Sequence, residues 1–578
     1  MLSPRTLVGR LTTRSCLRRR AAPTTSHPPL KARTHAHPGP RLYSTGGQQG
    51  QGGSDSKGEN HPNKVTLAIS YGACITALAL VGERCYYGPP AKRNQIQETP
   101  TYGTPEDFEK AILSLRQELS HIDGGVSTNP DDLHAHGFSV NDYHPAVAHT
   151  VVVYPETTED VVRVVKIANK YRMPIVPYSG ATSLEGHFRG AQKGSICVNL
   201  SHMNKILAIH AEDGDLVCQP GTPRLHINDT LVEMGIPLFF PLDPAPTATI
   251  GGMFSTGCSG TNAVRYGTAK GEWFLNATVV LPNGEVIKTR QRSRKSSAGP
   301  DMTKLFIGAE GTLGIVTELT LKLTPLLPTT VAVAQFPNVR AATEAVGEII
   351  NAGVGIQCVE LVDDKFMQAT NVYGASKRKW PEKDSLYFKF QGPTPSSLKE
   401  SAEIVKKIVR KYGATDFQLA RNQQEAEELW EDRKNALYSG LSLLPGGKGW
   451  STDVCVPVSK LPELVHETKK DLAEIGLLST IVGHVGDGNF HALILFKTEE
   501  EQERAHQAVS RMVKRAIALD GTCTGEHGVG IGKKEYLVEE LGEGTVKLMK
   551  TIKKTLDPSN LFNPGKLYPD DEDTKEKH

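Results

Sequence analysis

The order of patterns between His149 and Ser183 narrows the folds open to this chain more than any other feature. His149-Thr-Val-Val-Val-Tyr154 is apolar and β-branched and reads as a strand. Pro155-Glu-Thr-Thr-Glu-Asp160 supplies a helix cap and an acidic first turn. Val161, Val164, Val165 and Ala168 then recur at helical spacing. Met173-Pro-Ile-Val-Pro177 is a second strand, and it runs directly into Tyr178-Ser-Gly-Ala-Thr-Ser183. Small hydroxyl-bearing residues around Gly180 let backbone N–H groups turn toward an anion. Taken alone, that loop reads more simply as an ordinary turn.

Two later segments share its character. Pro241–Gly257 (PLDPAPTATIGGMFSTG) carries a Gly-Gly pair among small residues, which permits close backbone approach to a ligand. Phe306–Val316 (FIGAEGTLGIV) is the third. None has the G-x-G-x-x-G of a Rossmann unit. Gly525–Gly532 comes nearest, with Lys533 where the last glycine belongs, and Gly447-Lys448-Gly449 lacks the hydroxyl of a P-loop. A nucleotide is expected, in neither of those common folds.

Val482–Leu493 (VGHVGDGNFHAL) lies between two short apolar strands. Asp487-Gly488 fits the central pair of a type I′ turn, which would place His484 opposite His491 with Cβ atoms roughly 4.5–5.5 Å apart. Two imidazoles so held can share a metal ion, but a third ligand must come from elsewhere. The plainer alternative is a hairpin with incidental histidines.

At 578 residues the chain needs two or three domains. Its net charge of +2 is deceptive, because residues 1–44 hold nine Lys or Arg and no acid; without them the balance is −7. The folded part has no basic footprint, which excludes nucleic-acid binding. Residues 1–44 have the composition of a mitochondrial presequence, with Arg41-Leu-Tyr-Ser44 as a processing point, and 45–63 form a disordered Gly/Gln/Ser linker. Val65–Gly82 is eighteen residues without a charge and reads as a transmembrane anchor rather than a buried core helix. Nine scattered cysteines without a CxxC pair exclude a disulfide framework and a thiol zinc site.

PYSGATSLEGH, DPAPTATIGGMFSTGCSG and GAEGTLGI, in this order, resemble the FAD domain of the vanillyl-alcohol oxidase/p-cresol methylhydroxylase (PCMH) class. HVGDGNFH, TGEHGVG and LDPSNLFNPGKLY narrow the likeness to its D-2-hydroxyacid dehydrogenase branch, over about residues 140–570. The resemblance implies an α+β chain. A two-subdomain PCMH-type FAD-binding domain would span 144–324, and an α/β cap domain with an antiparallel sheet, for substrate and metal, 325–535. The C-terminal helices of 536–578 would return to the FAD domain. Residue by residue, it places Pro177, Tyr178, Ser179, Gly180, Ala181, Thr182 and Ser183 around the FAD pyrophosphate. Asp243, Pro244, Thr249, Gly251, Gly252, Ser255 and Thr256 would follow the pyrophosphate, ribityl chain and ring. Ile315 would lie near the adenosine and Asn563 at the isoalloxazine. Some members of the class tether flavin through histidine, and His187 invites that reading, but this branch generally does not; noncovalent FAD is expected.

The Gly-rich turn Thr522–Gly530 sets Glu526 beside His527. Glu526 completes a His484/His491/Glu526 set that suits Zn²⁺, Mn²⁺ or Fe²⁺, and the resemblance favours zinc or manganese. Oxidising an α-hydroxy acid removes a hydroxyl proton and the Cα hydride. A metal lowers the alcohol's pKa, and His527 is left as the base. Arg433, in LWEDRKNA, matches the family's arginine for the substrate carboxylate. Its plainer reading is a solvated helix charge among Glu428, Glu431, Asp432 and Lys434.

Two departures matter. Related 2-hydroxyglutarate enzymes carry a lysine shortly before the strand Asp453–Pro457, where this chain has Trp450-Ser-Thr; a monocarboxylate such as D-lactate is expected. Ala181 stands where relatives often have a second glycine. The resemblance further implies cytochrome c as electron acceptor and an inner-membrane enzyme facing the intermembrane space. The rival readings are oxidation of another D-2-hydroxy acid (glycolate or 2-hydroxyglutarate), a non-redox FAD protein of the same fold, as in ether-lipid synthesis, and a silent flavoprotein scaffold.

Overall fold

A computed structural model describes residues 101–139 and 141–570. The presequence, linker and anchor expected over 1–82 lie outside those residues. Among the described residues no helix is long and apolar enough to cross a membrane.

The opening β-α-β unit forms where its pattern places it. Val151–Val153 and Ile175–Tyr178 flank the helix Thr158–Tyr171. That helix begins with a reciprocal cap: the Thr157 hydroxyl accepts the Asp160 N–H, and the Asp160 carboxylate accepts the Thr157 N–H. Its buried stripe is Val161, Val164, Val165 and Ala168, with Ile167 beside it. Both strands pair in parallel with Ile196–Asn199, and Val126–Ser127 closes one edge antiparallel. The C-terminal tail lengthens the other edge. The Ile175 N–H donates to the Leu561 carbonyl and the Asn563 N–H to the Ile175 carbonyl, each at 2.7 Å.

Beside this sheet stands a five-stranded antiparallel one, with Ile315–Lys322 central between Asp215–Cys218 and Phe274–Val280. Val280 and Ile315 bury into the core of the first sheet, so the two sheets share a seam. Together they have the two-subdomain arrangement expected of the FAD-binding fold.

Besides the two-stranded pair Leu238–Phe239 and Thr324–Pro325, a third large sheet has eight strands, antiparallel throughout. Its strands bury both faces by period-two alternation. Ala332 and Ala334 face the helices Val339–Asn351, Pro395–Lys411, Leu461–Ile475 and Glu499–Ala518, while Val331 and Val333 face Asp364–Tyr373 and Gln423–Lys434. The chain is thus α+β, and its last described helix, Leu537–Leu556, breaks at Gly542 and precedes the tail that joins the first sheet.

The histidine hairpin differs from its expected form. Ser479–Gly483 and Asn489–Phe496 do pair antiparallel, but Val482, not His484, lies opposite His491. A type I′ turn needs φ > 0 at both central residues, and only Gly488 has it. Val485–Asp487 instead form one turn of 3-10 helix. Tertiary packing decides this: Gly488 presses on the Val456 carbonyl, where a Cβ would come within 1.9 Å.

Candidate active site

A cavity of about 1250 Å³, partly open to solvent, runs between the two sheets of the FAD-binding fold and the cap. All of Pro177–Ser183 line it, as do Pro244, Thr249, Gly251, Gly252, Ser255, Thr256, Ile315 and Asn563. The loop is tied back to the Gly-Gly helix: Ser179 Oγ lies 2.7 Å from Thr249 Oγ1, which also accepts the Gly180 N–H at 3.2 Å. Ala181 adopts φ +51, the left-handed region where glycine rests without strain. Gly251 is required for packing, since a Cβ there would meet Pro220 at 2.5 Å.

Asp243 is the expected cofactor residue that the cavity leaves out. Its carboxylate accepts the Thr261 hydroxyl at 2.5 Å and the Asn262 N–H at 2.9 Å. It anchors the loop behind the wall instead of facing the cavity.

Glu526 and His527 form one end of the cavity, with His187, Glu310 and Cys258 nearby. There the cap brings in its hairpin. His484 Nε2 is 3.0 Å from Glu526 Oε1 and His491 Nε2 is 3.4 Å from the same oxygen. One ligand atom from each of the three lies within 4.8 Å of the others. The donor set fits a divalent cation on a further ground: each imidazole is oriented through its other nitrogen, as metal-bound histidines are. His484 Nδ1 is 2.9 Å from the Glu360 carboxylate, and His491 Nδ1 is 2.9 Å from the Thr452 carbonyl. The Ser259 hydroxyl donates to Glu526 Oε2 at 2.8 Å and fixes the third group.

The His527 ring stacks on His491 with centroids 4.8 Å apart and planes 8° apart. Burial pushes its pKa down to about 4, with the Asp453 carboxylate pulling the other way. The imidazole is therefore neutral at physiological pH, the form that accepts a proton.

Arg433 is no solvated helix charge. It is buried on the helix Gln423–Lys434, and its Nη2 donates to Glu360 Oε2 at 2.5 Å. Arg433, Glu360 and His484 thus form a buried relay behind the three-ligand group, and Arg433 does not line the flavin cavity. His187 Nε2 lies 3.1 Å from Glu310 Oε1.

Glu360 and Asp453 escaped the sequence reading. Glu360 had a signal, being the one charge in the apolar strand Ile356–Val362 and wholly buried. Asp453 had none, because its partners come from segments more than thirty residues away.

Comparisons with known proteins agree with this geometry. Residues 328–567 match the C-terminal domain of FAD linked oxidases, and residues 149–290 match the FAD binding domain. The mitochondrial D-lactate dehydrogenase (cytochrome) of Arabidopsis thaliana is 45% identical over 476 residues, 82% of each chain. Its Saccharomyces cerevisiae counterpart is 43% identical over 487 residues, again 82% of each. In fold, the crystal structure of p-cresol methylhydroxylase with substrate bound is similar at a TM-score of 0.65 and 20% identity, over 80% of this chain and 97% of that one. Fold and site define a flavin-dependent oxidoreductase of the PCMH type. Within that class, the chain belongs to the FAD-linked oxidase family that includes the mitochondrial D-lactate dehydrogenases (cytochrome).

Proposed function

We propose that the chain oxidises D-lactate to pyruvate, with noncovalent FAD and a divalent cation, zinc or manganese. The observation carrying this reading is the meeting of Glu526 and His527, in the wall of the cavity that Pro177–Ser183 and Gly251-Gly252 line, with His484 and His491 of the cap. When bound, FAD supplies the acceptor for the Cα hydride, and a cation held by His484, His491 and Glu526 supplies Lewis acidity toward the hydroxyl oxygen.

The chain's own groups do the rest. His527, neutral in its buried setting, takes the hydroxyl proton at its ring nitrogen. Arg433, expected from sequence to meet the substrate carboxylate, is held by Glu360 behind the cavity lining, and acts on the site through Glu360 and His484. Trp450 is buried and stacked on Tyr143 at 3.9 Å, so no ammonium stands there for a second carboxylate. That favours a monocarboxylate over 2-hydroxyglutarate. The engagement of His187 with Glu310 supports noncovalent flavin.

Localisation and acceptor rest on the N-terminal composition and on the names of the relatives. These support a mitochondrial enzyme that passes electrons to cytochrome c. Val65–Gly82 is the proposed inner-membrane anchor, holding the body in the intermembrane space. Carbonate extraction that frees the full-length protein from mitochondria overturns the anchor.

Anaerobic mixing of the purified holoenzyme with a panel of D- and L-hydroxy acids tests the substrate. D-lactate is expected to bleach the flavin fastest; bleaching by 2-hydroxyglutarate but not by D-lactate contradicts the reading. His527→Ala is expected to keep its flavin while reduction slows by about 10²–10⁴-fold. Glu526→Gln is expected to lower the metal found by elemental analysis.

A further inference from the structure

The oxygen and nitrogen atoms of Asp453, His491 and His527 lie within 4.8 Å of one another, which taken alone would suit another cation. Asp453 is already filled, however. Its Oδ2 accepts the Thr524 hydroxyl, the Glu526 N–H and the His527 N–H, all at 2.8 Å, and its Oδ1 accepts the Asn489 side-chain amide at 2.8 Å. A carboxylate with four donors in place is holding backbone.

A second buried carboxylate grips the same turn from the opposite domain. Glu310 Oε1 accepts the Val529 N–H at 2.7 Å and Oε2 the Gly530 N–H at 2.9 Å. Four of the five backbone N–H groups from Glu526 to Gly530 therefore go to two carboxylates. Glu310 is itself fixed. It sits at φ +53, donates its own N–H to the Ser255 carbonyl, and its carbonyl accepts the Asn563 side-chain amide at 2.7 Å. The space between the carboxylates is tight: at Gly528, φ +82, a Cβ would come 2.7 Å from His187 Nε2 and 2.9 Å from Glu310 Oε1.

The His527 ring has little else to orient it. Its Nδ1 is buried with no hydrogen-bond partner among the described residues, and its ring contact is the stack on His491. Where the ring points is thus inherited from its backbone. We infer that Asp453, from the cap, and Glu310, from the FAD-binding fold, are paired positioning residues. They clamp the Glu526–Gly530 turn so that His527 meets substrate only when both domains are seated. Its catalytic consequence rests on the proposed role of His527, while the clamp itself can be read without any substrate.

The test uses Asp453→Asn and Glu310→Gln in the full-length holoenzyme. Each keeps the shape of the side chain and weakens charge-assisted bonds. Both variants are expected to fold and retain flavin, with a lowered melting temperature. Their Gly525–Gly530 amides should exchange hydrogen about tenfold faster than wild type. Flavin reduction at saturating D-lactate should slow roughly 10–100-fold with little change in the half-saturating concentration. Wild-type amide exchange, or a wild-type reduction rate, in folded variants overturns the clamp. If D-lactate fails to bleach even the wild-type flavin, the substrate reading falls and amide exchange alone decides the clamp. Should Asp453→Asn not fold, Thr524→Val, which removes only the hydroxyl donor, is expected to shift both readouts the same way by about threefold.

Discussion

Glu360 accepts Arg433 on one oxygen and His484 through both, so one side chain neutralises a buried cation and orients the His484 imidazole of the proposed metal group. Removing one partner of a buried pair leaves an uncompensated charge and typically costs about 3–5 kcal/mol. Glu360→Gln is therefore expected to lower unfolding stability by about 3 kcal/mol in urea melts. Adding Arg433→Met should recover most of that loss, and a double variant as unstable as the single one would show that the pair is not the source. At this scale the sequence was legible wherever function is local. Pro177–Ser183 and Gly251-Gly252 reveal themselves by small side chains in a row, and both line the cavity. Asp243 misled because it looks the same in sequence whether it faces a ligand or, as here, Thr261 and Asn262. Asp453 was silent because its donors sit on other segments.

Among the elements, the helix Asp364–Tyr373 carries a titration built into its cap. Asp363 caps it by accepting the Phe366 N–H at 2.8 Å. Burial raises the Asp363 pKa from 3.8 to about 7, although the Lys469 ammonium opposes the shift. Between about pH 4 and pH 7 the folded chain holds a proton that the unfolded chain has lost. Stability therefore falls as pH rises through that window, by at most about 4 kcal/mol. Asparagine caps a helix as well as aspartate does. Asp363→Asn should melt higher than wild type at pH 8 and alongside it near pH 4; an equal gap at both values would rule the burial penalty out. Patterning made the first strands and helix readable, from His149–Tyr154 through Val161–Ala168 to Met173–Pro177. The histidine hairpin shows its limit. Asp487-Gly488 is a strong local turn signal, yet packing of Gly488 on Val456 selected another turn and moved the register to Val482.

For the whole molecule, the decisive connection runs from the last residues back to the first strands. Leu561 and Phe562 are buried in the core of the first sheet, and the Asn563 amide donates to the carbonyls of His187 and Glu310. Asn563 holds φ +43, so glycine tests the side chain without adding strain. Asn563→Gly is expected to weaken flavin binding roughly tenfold through two lost hydrogen bonds, read by flavin fluorescence; an unchanged dissociation constant would mean that the tail supports the sheet alone. Long-range closure of this kind leaves no periodic trace, and only the family resemblance of LDPSNLFNPGKLY pointed to it. It also sets a timetable for assembly. Ribosomes deliver a chain from its amino end, so the loop Pro177–Ser183 is made almost four hundred residues before the Asn563 amide that lines the same cavity. The coenzyme is therefore expected to be held fully only after Asn563 has been made and has reached His187 and Glu310.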